Sequence, residues 1–190
     1  ADRAVSLTRQ LLAFSRRQVI KPESLDLNAV IAETQGMLQT LLGDAYRLGI
    51  EPYARQPVVM ADQGQIEQIL WNLYVNAADA MPEGGSLMIE SAIAPHTDFD
   101  SKPYRPKPGQ YIRLAITDTG VGMEKKIMDR IFDPFFTTKP VGQGTGLGLS
   151  TSYQIIVAEH GGNLICSSEL GRGTEFVITL PVTPLRSVGN

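Results

Sequence analysis

The stretch DQGQIEQILWNLYVNAADAM, residues 62–81, decides the architecture. Read at about 100° per residue, Ile66, Ile69, Leu70, Leu73, Ala77 and Ala80 fall on one stripe, the face expected to pack into a core. Gln65, Gln68, Asn72, Asn76 and Asp79 fall on a second stripe, displaced by roughly 110°. A solvated helix face normally carries Lys and Glu, whereas this one carries carboxamides. Asn costs helix propensity and gains nothing in an exposed helix interior, so two of them one turn apart suggest a stripe that borders a polar cleft. A carboxamide oxygen also serves as a hard ligand for Mg²⁺, an ion that keeps waters and takes substrate phosphates beside a few protein oxygens. Standing alone, Asn72 and Asn76 read better as incidental polar surface; the blocks that follow change the balance.

Outward from this helix, Asp118-Thr119-Gly120-Val121-Gly122 comes straight after an apolar strand expected over 110–118. Its glycines allow a tight turn and the close approach of a flat ligand, and its carboxylate can accept a hydrogen bond from an exocyclic amine. By itself the block reads better as an ordinary strand-ending turn. Gly142, Gly144, Gly146 and Gly148 then alternate, with Thr145 and Leu147 between them, directly before a helix expected over 147–159. Glycines there free backbone N–H groups to wrap phosphates, and a helix N-terminus adds partial positive charge; the plainer alternative is a flexible loop. Neither the Walker nor the Rossmann spacing is present. Between the glycine blocks lies IFDPFFTTK, residues 131–139. Its phenylalanines are costly to expose, so they either pack into the core or form a movable lid or docking patch.

The remaining elements read as follows. Asp26 caps a helix whose apolar face is Leu27, Val30, Ile31, Thr34, Met37, Leu38 and Leu41, ending near Gly43. Strands are expected over 47–53, 58–61, 86–93, 163–168 and 175–180, with a turn at 82–85, a Pro-rich loop before Gln110 and a short helix over 124–130. Strands bunched late, with long helices on one face, predict a two-layer α/β (α+β) sandwich with a mixed sheet. Residues 1–21 stand apart. Arg3, Arg9, Arg16, Arg17 and Lys21 oppose Asp2 alone, so this segment carries +4 and the rest of the chain −7. Ala4, Leu7, Leu11, Phe14 and Gln18 make a seam of about two heptads, read as one basic amphipathic helix, either part of a coiled coil or an ordinary surface helix.

Composition excludes several classes. The chain has 190 residues, 43% of them hydrophobic, enough for one domain with an appendage. Apolar runs such as Ile155–Ala158 fall far short of the roughly 18 residues that span a bilayer, and the N-terminus has no signal-peptide core, so neither membrane contact nor secretion is expected. A formal charge of −3 argues against nucleic acid as the main partner. The lone Cys166 excludes an internal disulfide and cysteine-based zinc sites, and makes cytoplasmic residence the default.

These four blocks, in this order, resemble the N, G1, F and G2 boxes of the Bergerat-type GHKL ATP-binding fold, shared by sensor histidine kinases, type II topoisomerases, mismatch-repair ATPases and Hsp90 chaperones. The wording is most similar to sensor histidine kinases, and the resemblance covers residues 25–181, with Gly171-Arg172-Gly173-Thr174 as a final glycine block. It implies an ATP-binding domain over 22–184, preceded at 1–21 by the end of a dimerisation helix and followed by a tail over 185–190. The resemblance also implies that Asn76 binds Mg²⁺, that Asp118 contacts the adenine amine, and that Gly120, Gly122 and Thr174 belong to the adenine pocket. Gly144, Thr145, Gly146, Leu147 and Gly148 would close over the phosphates. Asn72, Asp79 and Lys139 would complete the ATP site, Asn76 and Lys139 being the catalytic pair.

The ATP-hydrolysing members of that superfamily, and some of its protein kinases, carry a Glu one turn before the metal-binding Asn; in the hydrolases it can activate water. Asn72 stands there in this chain and cannot take a proton usefully, while Glu67 projects from the far side of the wheel. That favours transfer of the γ-phosphoryl group from ATP to an acceptor supplied from outside, which depends on positioning and charge neutralisation. The resemblance implies a histidine acceptor on dimerisation helices upstream of this chain, a homodimeric full-length protein and a response-regulator receiver domain as partner. His96 and His160 read as structural, His160 as a helix cap. The alternative is a nucleotide-gated interaction module or ATPase of the same fold that performs no phosphotransfer.

Overall fold

A computed structural model describes residues 20–52, 58–99, 106–140 and 142–182. Strand β1 (Glu23–Asp26) pairs antiparallel with β3 (Val58–Ala61) in a small separate sheet. Helix α1 (Leu27–Leu42) starts at Asp26, whose Oδ1 accepts the Asn28 and Ala29 N–H groups at 2.9 and 3.4 Å. It ends at Gly43, which takes φ 73°. After β2 (Tyr46–Pro52) and β3 comes α2 (Gln63–Ala80), capped by Asp62, which accepts the Gln65 N–H at 3.1 Å. Strands β4 (Gly85–Pro95) and β5 (Gln110–Asp118) follow, a short 3₁₀ turn at His96–Phe99 leading away from β4. Helix α3 (Lys125–Met128) and α4 (Gly148–Tyr153) flank a long irregular segment; α4 runs on through Gln154–Glu159 in wider π-type turns before β6 (Asn163–Glu169) and β7 (Gly173–Pro181).

The large sheet has the order β2-β4-β5-β7-β6, with β2 and β4 parallel and every other pair antiparallel. It is the mixed sheet of a two-layer α/β sandwich. Alternation along each strand sends Leu87 and Ile89 of β4, Ile112, Leu114 and Ile116 of β5, and Phe176, Ile178 and Leu180 of β7 into one core with Leu27, Ile31 and Leu38 of α1 and Ile66, Ile69, Leu70 and Leu73 of α2. Each large apolar side chain removed from water there stabilises the fold by about 1.5–3 kcal/mol. Two polar groups tie the helices together within the core. Tyr74, fully buried, brings its hydroxyl to 3.5 Å from Thr34 Oγ1, and burial pushes its phenol up to about 12.

The same alternation places the site. Asp118 continues the inward series Ile112, Leu114, Ile116, so the carboxylate at the end of β5 points toward the helices rather than to solvent. Its strand partner across β7 is Thr174, also inward and buried.

Three expectations change. Strand β1 was not legible: ESLD has a single apolar residue, Leu25, and becomes a strand only by pairing with β3. Met37, expected on the apolar face of α1, is 43% exposed, because it lies a residue step of about 100° from buried Leu38 at the margin of the stripe. The helix expected over 147–159 starts at Gly148 and widens midway. The expected helix over 1–21 and the tail over 185–190 fall almost wholly outside the described residues. Among the described residues no helix is long and apolar enough to cross a membrane.

Candidate functional site

One cavity of about 580 Å³ lies between α2, the end of β5, the turn after it, and the irregular segment before α4. That volume is within the range of small-molecule sites. Its floor is Asp118, whose Oδ1 accepts the N–H groups of Gly120 at 2.8 Å and Thr174 at 3.2 Å. Both bonds fall on one oxygen, leaving Oδ2 for a ligand. Burial raises the Asp118 carboxyl above the ordinary 3.8, and the two N–H donors offset part of that rise. Burial, with the Asp118 charge adding to it, also pushes the neighbouring Cys166 thiol up to about 12, so this cysteine is held as an inert thiol.

The turn after Asp118 is shaped by close contacts. Gly122 has φ 68°, and a Cβ there would meet the Glu169 carbonyl oxygen at 2.0 Å, so the turn can lie against the β6–β7 connection only with glycine in that place. Gly171 N–H donates to the Val121 carbonyl at 2.7 Å from the same connection. Ser168 completes this wall: its hydroxyl accepts the Met123 N–H at 2.8 Å and lies 2.9 Å from both the Gly173 carbonyl and Thr174 Oγ1. Gly122 and Thr174 line the cavity. Gly120 does not; it is buried against Ala80 at the end of α2, and it serves the site through its bond to Asp118.

From α2, Asn72, Asn76 and Asp79 line the cavity together, as the second stripe predicts. Gln65, one turn or more earlier, belongs elsewhere: its Nε2 donates to Glu159 Oε2 at 2.6 Å, and it does not reach the cavity. The two asparagines differ. Asn72 is 7% exposed and its Nδ2 is engaged with the Gly148 carbonyl at 3.0 Å and Ser152 Oγ at 3.1 Å, pinning the first turn of α4 to α2. Asn76 is half-buried and makes no side-chain hydrogen bond among the described residues, so its amide is available to a ligand. Glu67 pairs with Gln63 at 2.7 Å, away from the cavity.

The irregular segment forms the roof. Ile131 is buried, Phe132 stacks on Tyr153 with ring centres 5.1 Å apart, and Phe136 lies under the Arg130 guanidinium at 4.4 Å. Two of the three phenylalanines therefore dock. Phe135 does not: it is 73% exposed and takes φ 65°, held by its N–H bond to the Gly146 carbonyl at 2.9 Å. Gly146 takes φ 66°, and any Cβ there would meet the Phe135 carbonyl carbon at 2.4 Å. Gly144, Thr145, Gly146 and Gly148 line the cavity, and Leu147 does not; its N–H donates to Thr145 Oγ1 at 3.3 Å. Lys139 also lines it, with Nζ bonded to Asp79 Oδ2.

The histidines lie apart from the cavity. His160 Nδ1 sits 2.8 Å from the Ile155 carbonyl, a cap on the widened helix, and His96 Nδ1 accepts the Gly109 N–H at 3.3 Å, closing the base of a loop. Sequence reasoning missed Ser168, Ser152, Met123 and Ile127. Ser168, Ser152 and Met123 carry no local signal, since each acts through a partner distant along the chain, and Ile127 is known only from its place in the cavity lining.

Residues 61–184 match the family described as histidine kinase-, DNA gyrase B-, and HSP90-like ATPase. The chain is 48% identical over 182 residues to the sensor kinase CckA of Brucella abortus, covering 95% of this chain and 19% of CckA. It is 30% identical over 190 residues to the sensor histidine kinase ZraS of Escherichia coli K12, covering 98% of this chain and 37% of ZraS. The chain thus spans only about a fifth to two fifths of these relatives. Among solved structures, the nucleotide-free catalytic domain of the histidine kinase ThkA superposes with a TM-score of 0.67 at 30% identity, over 86% of this chain and 97% of that one. ThkA in complex with the response regulator TrrA matches with a TM-score of 0.70 at 26% identity, over 96% of this chain and 48% of that one.

Proposed function

The chain belongs to the histidine kinase-, DNA gyrase B- and HSP90-like ATPase family, and from that membership and the geometry above we propose that it is the ATP-binding catalytic part of a two-component sensor histidine kinase that passes the γ-phosphoryl group of Mg-ATP to a histidine on a dimerisation domain. In this reading the ATP-binding domain runs over 22–184, and the first 21 residues continue a dimerisation helix. The observation that carries it is the convergence of Asp118, Asn76, Lys139 and the glycines of 142–148 on one cavity of nucleotide size.

Asp118 Oδ2 accepts the adenine amine, with Gly122 and Thr174 at the sides of the base. The backbone N–H groups of Gly144, Gly146 and Gly148 face the phosphates, and Lys139 contributes an ammonium at the same end. The donor set fits a magnesium ion: Asn76 offers an unengaged carboxamide oxygen at the cavity wall, a hard oxygen of the kind Mg²⁺ takes from protein when phosphates and water complete its shell. Bound there, the ion supplies neutralisation of charge on the β- and γ-phosphates. Asn72, its amide nitrogen donating to α4 and its group unable to take a proton, leaves the cavity without a base on that turn. In this reading the acceptor is an imidazole supplied from outside: its unprotonated nitrogen forms the P–N bond as the bond from the γ-phosphorus to the β–γ bridging oxygen breaks, with ADP as the leaving group. The full-length protein would act as a homodimer in the cytoplasm, with a response-regulator receiver domain as the onward acceptor.

The reading is tested by titrating a non-hydrolysable ATP analogue into the chain with and without Mg²⁺, beside Asn76→Ala and Asp118→Ala. Binding that strengthens with Mg²⁺, loses that gain in Asn76→Ala and falls sharply in Asp118→Ala is expected. Unchanged affinity in both variants removes the site.

A further inference from the structure

Lys139 and Asp79 belong to different parts of the fold. Asp79 sits in the last turn of α2, one turn beyond Asn76, and Lys139 lies 60 residues further along, in the roof. The roof presents Lys139 in a fixed direction. Its N–H donates to Thr137 Oγ1 at 3.1 Å, and its stem packs on Gly144, where an added Cβ would meet Lys139 Cδ at 3.1 Å. Its Nζ is bonded to Asp79 Oδ2, making the one ion pair, among the described residues, between the roof and α2. Both side chains line the cavity, as do Asn76 and the glycines of 142–148.

Resting on the nucleotide reading, we propose that Asp79 is a specificity-determining positioning residue: in the ligand-free protein its carboxylate holds Lys139 in place of a terminal phosphate, and a triphosphate displaces it. A carboxylate and a γ-phosphate that share one ammonium sit within a few ångströms of each other, and like charges at that distance repel. The ion pair is therefore exchanged, not added to. A diphosphate has no γ-phosphate to offer and leaves the pair intact. The tie between roof and α2 passes from protein to nucleotide only when ATP is the ligand, so the pair distinguishes substrate from product and couples that distinction to the position of the roof.

The experiment compares the chain with Asp79→Asn, Lys139→Gln and the double variant. AMPPNP and ADP are titrated by calorimetry in EDTA, or with Mg²⁺ if binding demands the metal, and hydrogen exchange of the 142–148 amides is followed in ligand-free protein. Partly exposed ion pairs contribute up to about fivefold in an equilibrium constant. Asp79→Asn should therefore tighten AMPPNP about three- to fivefold and leave ADP unchanged, and the gain should vanish in the Lys139→Gln background. Exchange of the roof amides should rise equally in both single variants and no further in the double. An equal gain for AMPPNP with and without Lys139, equal shifts for both nucleotides, or unaltered roof exchange would overturn the proposal while the nucleotide site stands. A parent chain that binds neither nucleotide overturns the nucleotide reading and the exchange with it.

Discussion

Asp118→Asn separates the binding role of Asp118 from its structural role. The two oxygens of the carboxylate do different work: Oδ1 takes the Gly120 and Thr174 N–H groups at 2.8 and 3.2 Å, and Oδ2 is left for the ligand. An asparagine of the same shape keeps its carbonyl on the two backbone donors and turns its NH₂ toward the cavity. A donor then faces the adenine amine where an acceptor is required. Losing a hydrogen bond to a charged acceptor and leaving a buried donor unmatched costs about 2–3 kcal/mol, about 30- to 150-fold in Kd. The fold should not suffer, because burial already disfavours the Asp118 carboxylate and a neutral amide escapes that cost. Calorimetric titration with AMPPNP, set beside a thermal melt of the ligand-free protein, reads both quantities. Affinity should collapse while the melting temperature holds or rises. Undiminished affinity would refute Asp118 as the adenine acceptor, and loss of affinity together with a collapse of the melt would mean that Asp118 only maintains the turn.

Raised above its ordinary 3.8 by burial, Asp118 binds its proton more tightly folded than unfolded, so its contribution to stability is fully present below that pH and is lost as pH rises through the folded value. Denaturant melts should accordingly show Asp118→Asn gaining on the parent as pH increases from about 4 toward neutrality; a constant difference across that range contradicts the burial argument. Asn72→Ala removes the buried links to the Gly148 carbonyl and Ser152 Oγ, and urea unfolding should show a loss of about 1–3 kcal/mol. Asn72→Asp should be worse, since a carboxylate oxygen would face the Gly148 carbonyl; equal or better stability for Asp would show that the amide is not the link. Gly146→Ala forces a Cβ to 2.4 Å from the Phe135 carbonyl carbon at φ 66°, so the melt should record a cost of about 1–3 kcal/mol and AMPPNP affinity should fall as the roof shifts. A variant with parental melt and affinity would show that the roof is freely mobile at that point.

Much of this site is legible in the sequence because its parts are local. The two stripes of the 62–81 helix separate core from cavity by angle alone, and Asn72, Asn76 and Asp79 come to the cavity on the same face that the wheel assigns them. Gln65 shares the stripe and not the cavity, since a helix of 18 residues is longer than the cavity is wide and its early turns meet Glu159 instead. Asp118 is readable because a period of two continues to the strand's last residue. What stays hidden depends on partners far along the chain: β1 exists through β3, Ser168 acts through Met123 and Thr174, and the Lys139–Asp79 pair joins residues 60 apart. The distinction between Asn72 as a clamp and Asn76 as a free ligand is of this kind too, because only the position of α4 decides which amide is occupied.

Transfer to an external histidine is tested by mixing this chain with the separately prepared dimerisation domain of its own full-length protein in the presence of Mg²⁺ and γ-³²P-ATP. Acid-labile, base-stable label is expected on the dimerisation fragment, none on this chain, and no label in Asn76→Ala. Release of free phosphate with neither protein labelled, while nucleotide is demonstrably bound, would contradict it and leave a nucleotide-gated ATPase in its place.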